Sequence, residues 1–158
     1  MVLKSKGSVL DLEHDNQTLK DYISVFERNK MRLTQSRLML LQCLVQHRDW
    51  HTLAELKHHL EQNQQRTTLA SIYNNLKIFA KLKLINIFVD TNRFETYYCL
   101  RHENHKHIYF FDENQRKFLT LPLQDKEALS LIGHKSKHGK IKLNDFYIVA
   151  SGTLEDDQ

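Results

Sequence analysis

The stretch Leu69–Lys83, LASIYNNLKIFAKLK, decides how the rest of the chain is read. On a 3.6-residue period Leu69, Ile72, Leu76 and Phe79 fall on one side, while Asn74, Lys77 and Lys81 fall on the other. That stripe predicts an amphipathic helix, and Thr68 just before it predicts the cap that starts it. After Lys83 the pattern changes. INIF (85–88) and RFETYYCL (93–100) are short and rich in β-branched and aromatic residues, and the turn-forming VDTN lies between them, so a β-hairpin is expected.

Working backwards, Thr52-Leu-Ala-Glu55 is a capping box that opens a helix carrying Leu53, Leu56 and Leu60, and the polar EQNQQR (61–66) reads as the loop after it. Thr34 caps an earlier helix whose stripe is Leu38, Leu41, Leu44 and Val45, with Cys43 nearby. Thr18 opens the first helix, with Leu19, Tyr22, Ile23 and Phe26 on one face, and residues 1–16 read as a mobile polar arm. Downstream, HIYFF (107–111) and KFLTL (117–121) are expected as strands joined by the turn DENQR. Residues 125–137 are expected as a helix and KIKLNDFYIVA (140–150) as a last strand. There is no internal repeat and no low-complexity segment.

Helices followed by a hairpin is the order of a winged helix-turn-helix, and Leu69–Lys83 is then its recognition helix. Its polar face carries Asn74, Lys77 and Lys81, with Tyr73 at the edge and Arg66 and Thr67 before the N-terminus. Amide side chains read adenine edges, while cations and a helix N-terminus hold phosphate. Taken alone, such a face is more often a solvated surface. The helix–helix–wing order is what turns the reading towards double-stranded DNA.

Composition bounds the alternatives. The 158 residues are 41% hydrophobic, which excludes wholesale disorder and allows one ordinary domain or two small ones. A net charge of +4 permits a polyanionic partner without requiring one. Cys43 and Cys99 are the two cysteines and form no CxxC, which argues against a disulfide framework or a Cys-rich zinc module. No apolar run approaches the ~20 residues that span a bilayer. The opening MVLKSKGSVLDLEHD lacks the apolar core of a secretory signal, so a cytoplasmic protein with no membrane partner is expected. Neither an HExxH helix nor a nucleophile elbow is present, which argues against a metal-dependent hydrolase and against an enzyme generally.

One segment remains: HENHKH, His102–His107, with three histidines in six residues. Together with what precedes it, it carries a resemblance. The segments RLTQSRLMLLQCL, WHTLAELKHHL, TTLASIYNNLKIFAKLKLI, RFETYY and HKHIYFF run in the order of the ferric uptake regulator family of dimeric bacterial metalloregulators, with weaker likeness onward through KHGKIKLNDFYIVASG. The words SIYNNL and HxH are the most specific of them. The resemblance implies an α+β chain: a winged-helix DNA-binding domain over 1–100, then a small α/β dimerisation and metal-sensing domain over 101–158. It implies a homodimer on a duplex operator, with a regulatory ion between the domains. His105 and His107 match the family's HxH, and on a strand residues i and i+2 share a face, so both imidazoles can reach one ion. Glu95, in RFE, matches the acidic ligand of the wing strand. His51, just before the capping box, matches the histidine of the DNA-binding domain. Three imidazoles and a carboxylate suit one divalent transition ion per subunit, and do not choose among Fe, Mn and Zn.

Departures from the family narrow the reading. Phe110 and Glu113 stand where a zinc-binding CxxC normally follows HxH, so a structural zinc held by four cysteines is not expected; Phe110 would supply apolar packing instead. YNNL is nearest the peroxide-sensing branch. Thr120 stands where those sensors carry an aspartate ligand, and Glu95 is longer than their usual aspartate, which points to metal availability as the main signal. A second family metal site would draw on positions now held by Lys106 and, near the end, Asp145, leaving Glu127. The leading expectation is a metal-responsive repressor. A peroxide-sensing repressor and a winged-helix dimer without metal control are the alternatives.

Overall fold

A computed structural model of the chain describes residues 9–101, 107–122, 126–127, 130, 139 and 146–155. The chain divides into two compact units, Met1–Arg101 and His102–Gln158. The first holds helices α1 (Val9–Arg28), α2 (Gln35–Gln46), α3 (Leu53–Gln62) and α4 (Leu69–Lys81), and strands β1 (His51–Thr52), β2 (Ile85–Asp90) and β3 (Glu95–Leu100). Three expected caps are present: the Thr34, Thr52 and Thr68 hydroxyls accept from the amides of Arg37, Glu55 and Ser71, and Thr52 and Glu55 complete the reciprocal box. The start of α1 differs from expectation. Residues 9–16, expected in the polar arm, are helical, because VLDLEHDNQ contains no glycine or proline to stop the helix, and Thr18 lies inside it. Residues 1–8 lie outside the described residues.

The core of this unit is built from one stripe of each helix. Tyr22 and Phe26 of α1, Ile72, Leu76 and Phe79 of α4 and Leu56 and Leu60 of α3 close around α2, which buries Leu40, Leu41, Cys43, Leu44 and Val45. Phe26 and Phe79 meet edge-on with ring centroids 5.7 Å apart. α2 packs against α1, α3, α4 and β3, which is why its apolar residues spread wider than one stripe. Leu69 departs from the sequence reading. Its phase places it on the core face of α4, yet it is 45% exposed, because the first turn overhangs the core.

Helix ends repeat one device. The amides of Met31, Gln65 and Leu84 each donate to the carbonyl five residues back, on Phe26, Leu60 and Phe79, and the residue before each, Lys30, Gln64 and Lys83, has positive φ. This is the Schellman closure, here made with lysine or glutamine where glycine is usual. α4 therefore stops at Lys81 and does not run to Lys83.

β3 is central in a three-stranded sheet of order β1-β3-β2, antiparallel throughout. β1 goes beyond the sequence reading, since two residues carry no periodicity. His51 pairs with Tyr98, and Ile87 with Tyr98 from the other side, so these side chains share the face that joins the helical core. Glu95, Tyr97 and Cys99 alternate onto the opposite face. At the far end of the hairpin the Arg101 Nε donates to Asn86 Oδ1 (2.8 Å), and the Tyr22 hydroxyl donates to the Arg101 carbonyl, tying α1 to the end of β3.

The second unit holds β4 (His107–Asp112), β5 (Lys117–Pro122) and β6 (Ile148–Gly152) in the order β5-β4-β6. β5 is antiparallel to β4 and β6 parallel to it. Tyr109 and Phe111 are buried, and the rings of Phe111 and Phe118 lie 4.8 Å apart across the hairpin. The Phe110 ring lies against Gly152, whose missing Cβ would sit 3.4 Å from the ring carbons, at ordinary contact distance. Lys126, Glu127 and Ser130 are helical; the rest of the helix expected over 125–137, and residues 140–145 of the expected last strand, lie outside the described residues. Among the described residues no helix is long and apolar enough to cross a membrane.

Candidate nucleic-acid interface and metal ligands

α4 buries one face and presents another. Tyr73, Asn74 and Lys77 are exposed, as the sequence reading requires, and the Lys77 ammonium lies 5.2 Å from the Tyr73 ring centroid. Leu69 extends this face by a turn, so Leu69, Tyr73 and Lys77 form a line at four-residue spacing. Sequence reasoning misses Leu69 because a leucine in phase with a core stripe carries no mark of exposure. Apolar side chains in such a line suit the thymine methyl group, and Asn74 suits an adenine edge.

Beside the start of α4 lies a cleft of about 260 Å³, walled by Ser36, Met39, Leu60, Gln65, Arg66, Thr67, Thr68 and Ser71. Arg66 is exposed and Thr67 half-buried. The cleft lies beside the N-terminal turns of α2 and α4, and neither helix has an acidic residue in its first turn, whereas α3 has Glu55 there. The cleft sets the apolar side chains of Met39 and Leu60 beside four hydroxyls and the Arg66 side chain, next to two helix N-termini whose first turns carry no acid. Asn75 Nδ2 donates to Ser36 Oγ (3.3 Å) and fixes α4 against the start of α2. Ser36 and Ser71 escape a reading of the sequence: nothing marks a serine as lining a cleft until two helix starts are brought together.

Of the candidate metal ligands, His51 and Glu95 lie in the first unit. His51 is 9% exposed; its Nε2 is 3.0 Å from the His47 carbonyl oxygen, and its Nδ1 is 3.8 Å from Glu55 Oε2. It is one of three clustered imidazoles. The His47 and His59 rings stack with centroids 4.0 Å apart, and His51 meets them edge-on at 6.1 and 5.2 Å. Burial lowers the pKa of His47, and His51 lowers it further. Burial likewise lowers that of His59, helped by His47, His51 and His58 and opposed by Glu55. Glu95 is half-buried at the start of β3, on the sheet face opposite His51. In the second unit His107 begins β4, and His105 lies outside the described residues. Among the described residues, no three His, Cys, Asp or Glu side chains are placed to share one ion. Imidazole and carboxylate donors nonetheless match a divalent transition ion in kind. Cys43 and Cys99 are both buried free thiols, and burial pushes the Cys43 pKa up to about 11.

Comparison with known proteins agrees with this architecture. A protein of Mycoplasma genitalium designated MG236 is 57% identical over 139 residues, 88% of this chain and 99% of the relative. The ferric uptake regulator of Vibrio cholerae superposes with a TM-score of 0.63 at 16% identity, covering 83% of this chain and 98% of that one. That of Pseudomonas aeruginosa, solved with manganese, gives a TM-score of 0.65 at 16% identity over 84% and 97%. A zinc uptake regulator complexed with zinc and DNA gives 0.60 at 14% identity over 89% and 92%. At these identities the structural likenesses speak for the fold. The model of the ferric uptake regulator family matches residues 28–144, most of the chain, and the protein accordingly belongs to that family of metalloregulators, which are transcription regulators and not enzymes.

Proposed function

We propose that this protein is a homodimeric repressor that binds operator DNA through α4, with an affinity set by a divalent ion whose ligands are His51, Glu95, His105 and His107. The observation that carries the DNA half is the exposed line Leu69–Tyr73–Lys77, with Asn74, and with Arg66 and Thr67 just before the start of the same helix. In this reading the helix enters the major groove, Tyr73 and Asn74 discriminate bases, and Arg66, Thr67 and Lys77 hold the backbone.

The metal half rests on donor chemistry and family membership. His105 and His107 offer two imidazoles two residues apart, and Glu95 offers a carboxylate from the wing strand. His51 and Glu95 lie on opposite faces of the first unit's sheet, so one ion taking both would need the His51 segment to rearrange as well as its ring to leave the His47 carbonyl. These four side chains would hold the ion, which would supply a positive centre bound by residues of both units and so would favour an arrangement that matches two DNA half-sites. One such ion per subunit, iron, manganese or zinc, is the expected complement, without a thiolate-bound structural zinc. The dimer reading is supported by β5, an edge strand among the described residues, on which Leu119 and Leu121, two residues apart, are 44% and 54% exposed. The cytoplasm is the expected compartment. Metal availability is the main signal, and peroxide is secondary.

The test is elemental analysis of anaerobically purified protein, paired with selection of duplexes from a random pool before and after chelation. Selection that chelation abolishes and the ion restores is expected, with His105→Ala and His107→Ala losing stoichiometric metal. Selection indifferent to chelation and to both variants would make this a regulator without metal control. Oxygen addition to His51 or His105 when the iron-loaded protein meets peroxide, with release from DNA, would make it a peroxide sensor.

A further inference from the structure

We propose that the stacked rings of His47 and His59 are a holding site for His51, which keeps that imidazole from the regulatory ion until the ion competes it away. The inference rests on the reading of His51 as a ligand and adds two positioning residues to it.

His51 is occupied where it stands. It is 9% exposed and pairs with Tyr98 through the short strand β1. Its Nε2 is 3.0 Å from the His47 carbonyl oxygen. A carbonyl oxygen only accepts, so Nε2 carries the hydrogen there and has no lone pair for an ion. Nδ1 lies 3.8 Å from Glu55 Oε2. The ring meets His59 and His47 with centroids 5.2 and 6.1 Å apart and planes at 82° and 86°, the edge-to-face arrangement that attracts ring pairs. His47 and His59 stack on each other at 4.0 Å with planes 16° apart, and so act on His51 as one surface.

The backbone does not ask for imidazoles at these two positions. His47 closes α2 with its amide, which donates to the Cys43 carbonyl (2.9 Å), and the Gln65 amide closes α3 on the Leu60 carbonyl (3.0 Å). Both rings are half-buried and stand outside the apolar core of the first unit. What they share is contact with His51.

The side of the sheet gives that contact its consequence. His51 faces the helical core, and Glu95 is on the opposite face. A His51 held by His47 and His59 and a His51 bound to an ion that also takes Glu95 are mutually exclusive positions. The apparent metal affinity is then the intrinsic one reduced by the fraction of molecules in which His51 is released. Each contact that holds the ring therefore raises the metal concentration at which the protein responds.

The test is cobalt(II) titration of the metal-free, full-length protein, read by visible absorption, beside thermal unfolding in chelator. His59→Ala removes an edge-on partner and the stack, and should bind cobalt(II) about threefold to tenfold more tightly than wild type. His59→Phe keeps a ring there and should return the affinity towards the wild-type value. His47→Ala keeps the carbonyl, loses the ring and should also tighten binding; it carries the test if His59→Ala melts at a lower temperature. Histidine side-chain NMR gives a readout without the ion: the Nε2–H signal that His51→Ala removes should exchange with water slowly in wild type and faster in His59→Ala. Lost packing alone leaves metal binding unchanged or weaker, so a gain separates holding from a structural role. Unchanged or weaker cobalt(II) binding in both alanine variants, with His51→Ala weaker than wild type, overturns the holding site and leaves His51 a ligand. Cobalt(II) binding indifferent to His51→Ala overturns both. A second cobalt(II) per chain that His59→Ala removes overturns the holding site as well, since the three rings would then be a metal site of their own.

Discussion

Lys77 and Asn74 stand three residues apart on α4, both exposed, and are expected to differ in what they contribute. A lysine on phosphate acts on every sequence alike, so Lys77→Ala should weaken operator and random DNA together and lower the salt slope by about one unit. Asn74→Ala should instead narrow the gap between them, by about 1–3 kcal/mol if it holds one adenine edge. Fluorescence anisotropy at several salt concentrations checks both, and unchanged operator affinity in both variants would mean that another element reads the DNA. A second residue-scale expectation concerns pH. His47 and His59 both have pKa values held below 6.5, first by burial and then by neighbouring imidazoles. Between those lowered values and 6.5 the unfolded chain binds more protons than the folded one. Stability present above pH 6.5 is therefore lost as pH falls through the lowered values. Urea midpoints measured in chelator from pH 8 to 5 should fall on acidification, and the drop should shrink in His47→Gln/His59→Gln. His51, His58 and Glu55 face this pair and remain in the variant, so a drop of unchanged size would assign it elsewhere.

At the scale of elements, the left-handed residues show where this chain carries strain. Lys30, Gln64 and Lys83 each end a helix at positive φ, and Phe94 and Arg116 each close a hairpin. With four glycines in the whole sequence, these turns are made by residues that carry a steric cost. Gln64 is exposed, so replacing it removes little packing. Gln64→Gly should raise stability by about 0.5–1 kcal/mol, read as a higher urea midpoint at unchanged slope. A lower midpoint would show that the glutamine side chain contributes more than its backbone strain costs.

At the scale of the whole molecule a surface to test is β5, an edge strand among the described residues. Its exposed Leu119 and Leu121 lie on one face, with the polar Thr120 between them and the half-buried Phe118 before them. If that face closes a dimer, Leu119→Asp/Leu121→Asp should sediment as a monomer at micromolar concentration with its circular dichroism retained. Its DNA affinity should fall, since one recognition helix engages one half-site. A variant that remains dimeric places the subunit contact on another surface of the chain.

Much of the first unit is legible in the sequence because it is written in local terms. Thr34, Thr52 and Thr68 mark helix starts through bonds that span three residues, and Ile72, Leu76 and Phe79 mark a core face through spacing alone. The two hairpins are legible for the same reason, in VDTN and DENQR. The direction of α4's polar face follows from these, and with it the exposure of Tyr73, Asn74 and Lys77. What tertiary structure decided lies where distant segments meet. The strand β1 exists because β3 offers it two partners, and that pairing turns His51 towards the helices and into the ring cluster with His47 and His59. No spacing rule could foretell a cluster assembled from the end of α2, a two-residue strand and the last turn of α3. Leu69 shows the same limit from the other side: its phase assigns it to the core, and only the position at which α4 leaves the core exposes it. Local bonds repeat at fixed separations along the chain and can be counted from the sequence; burial depends on what the rest of the chain places opposite.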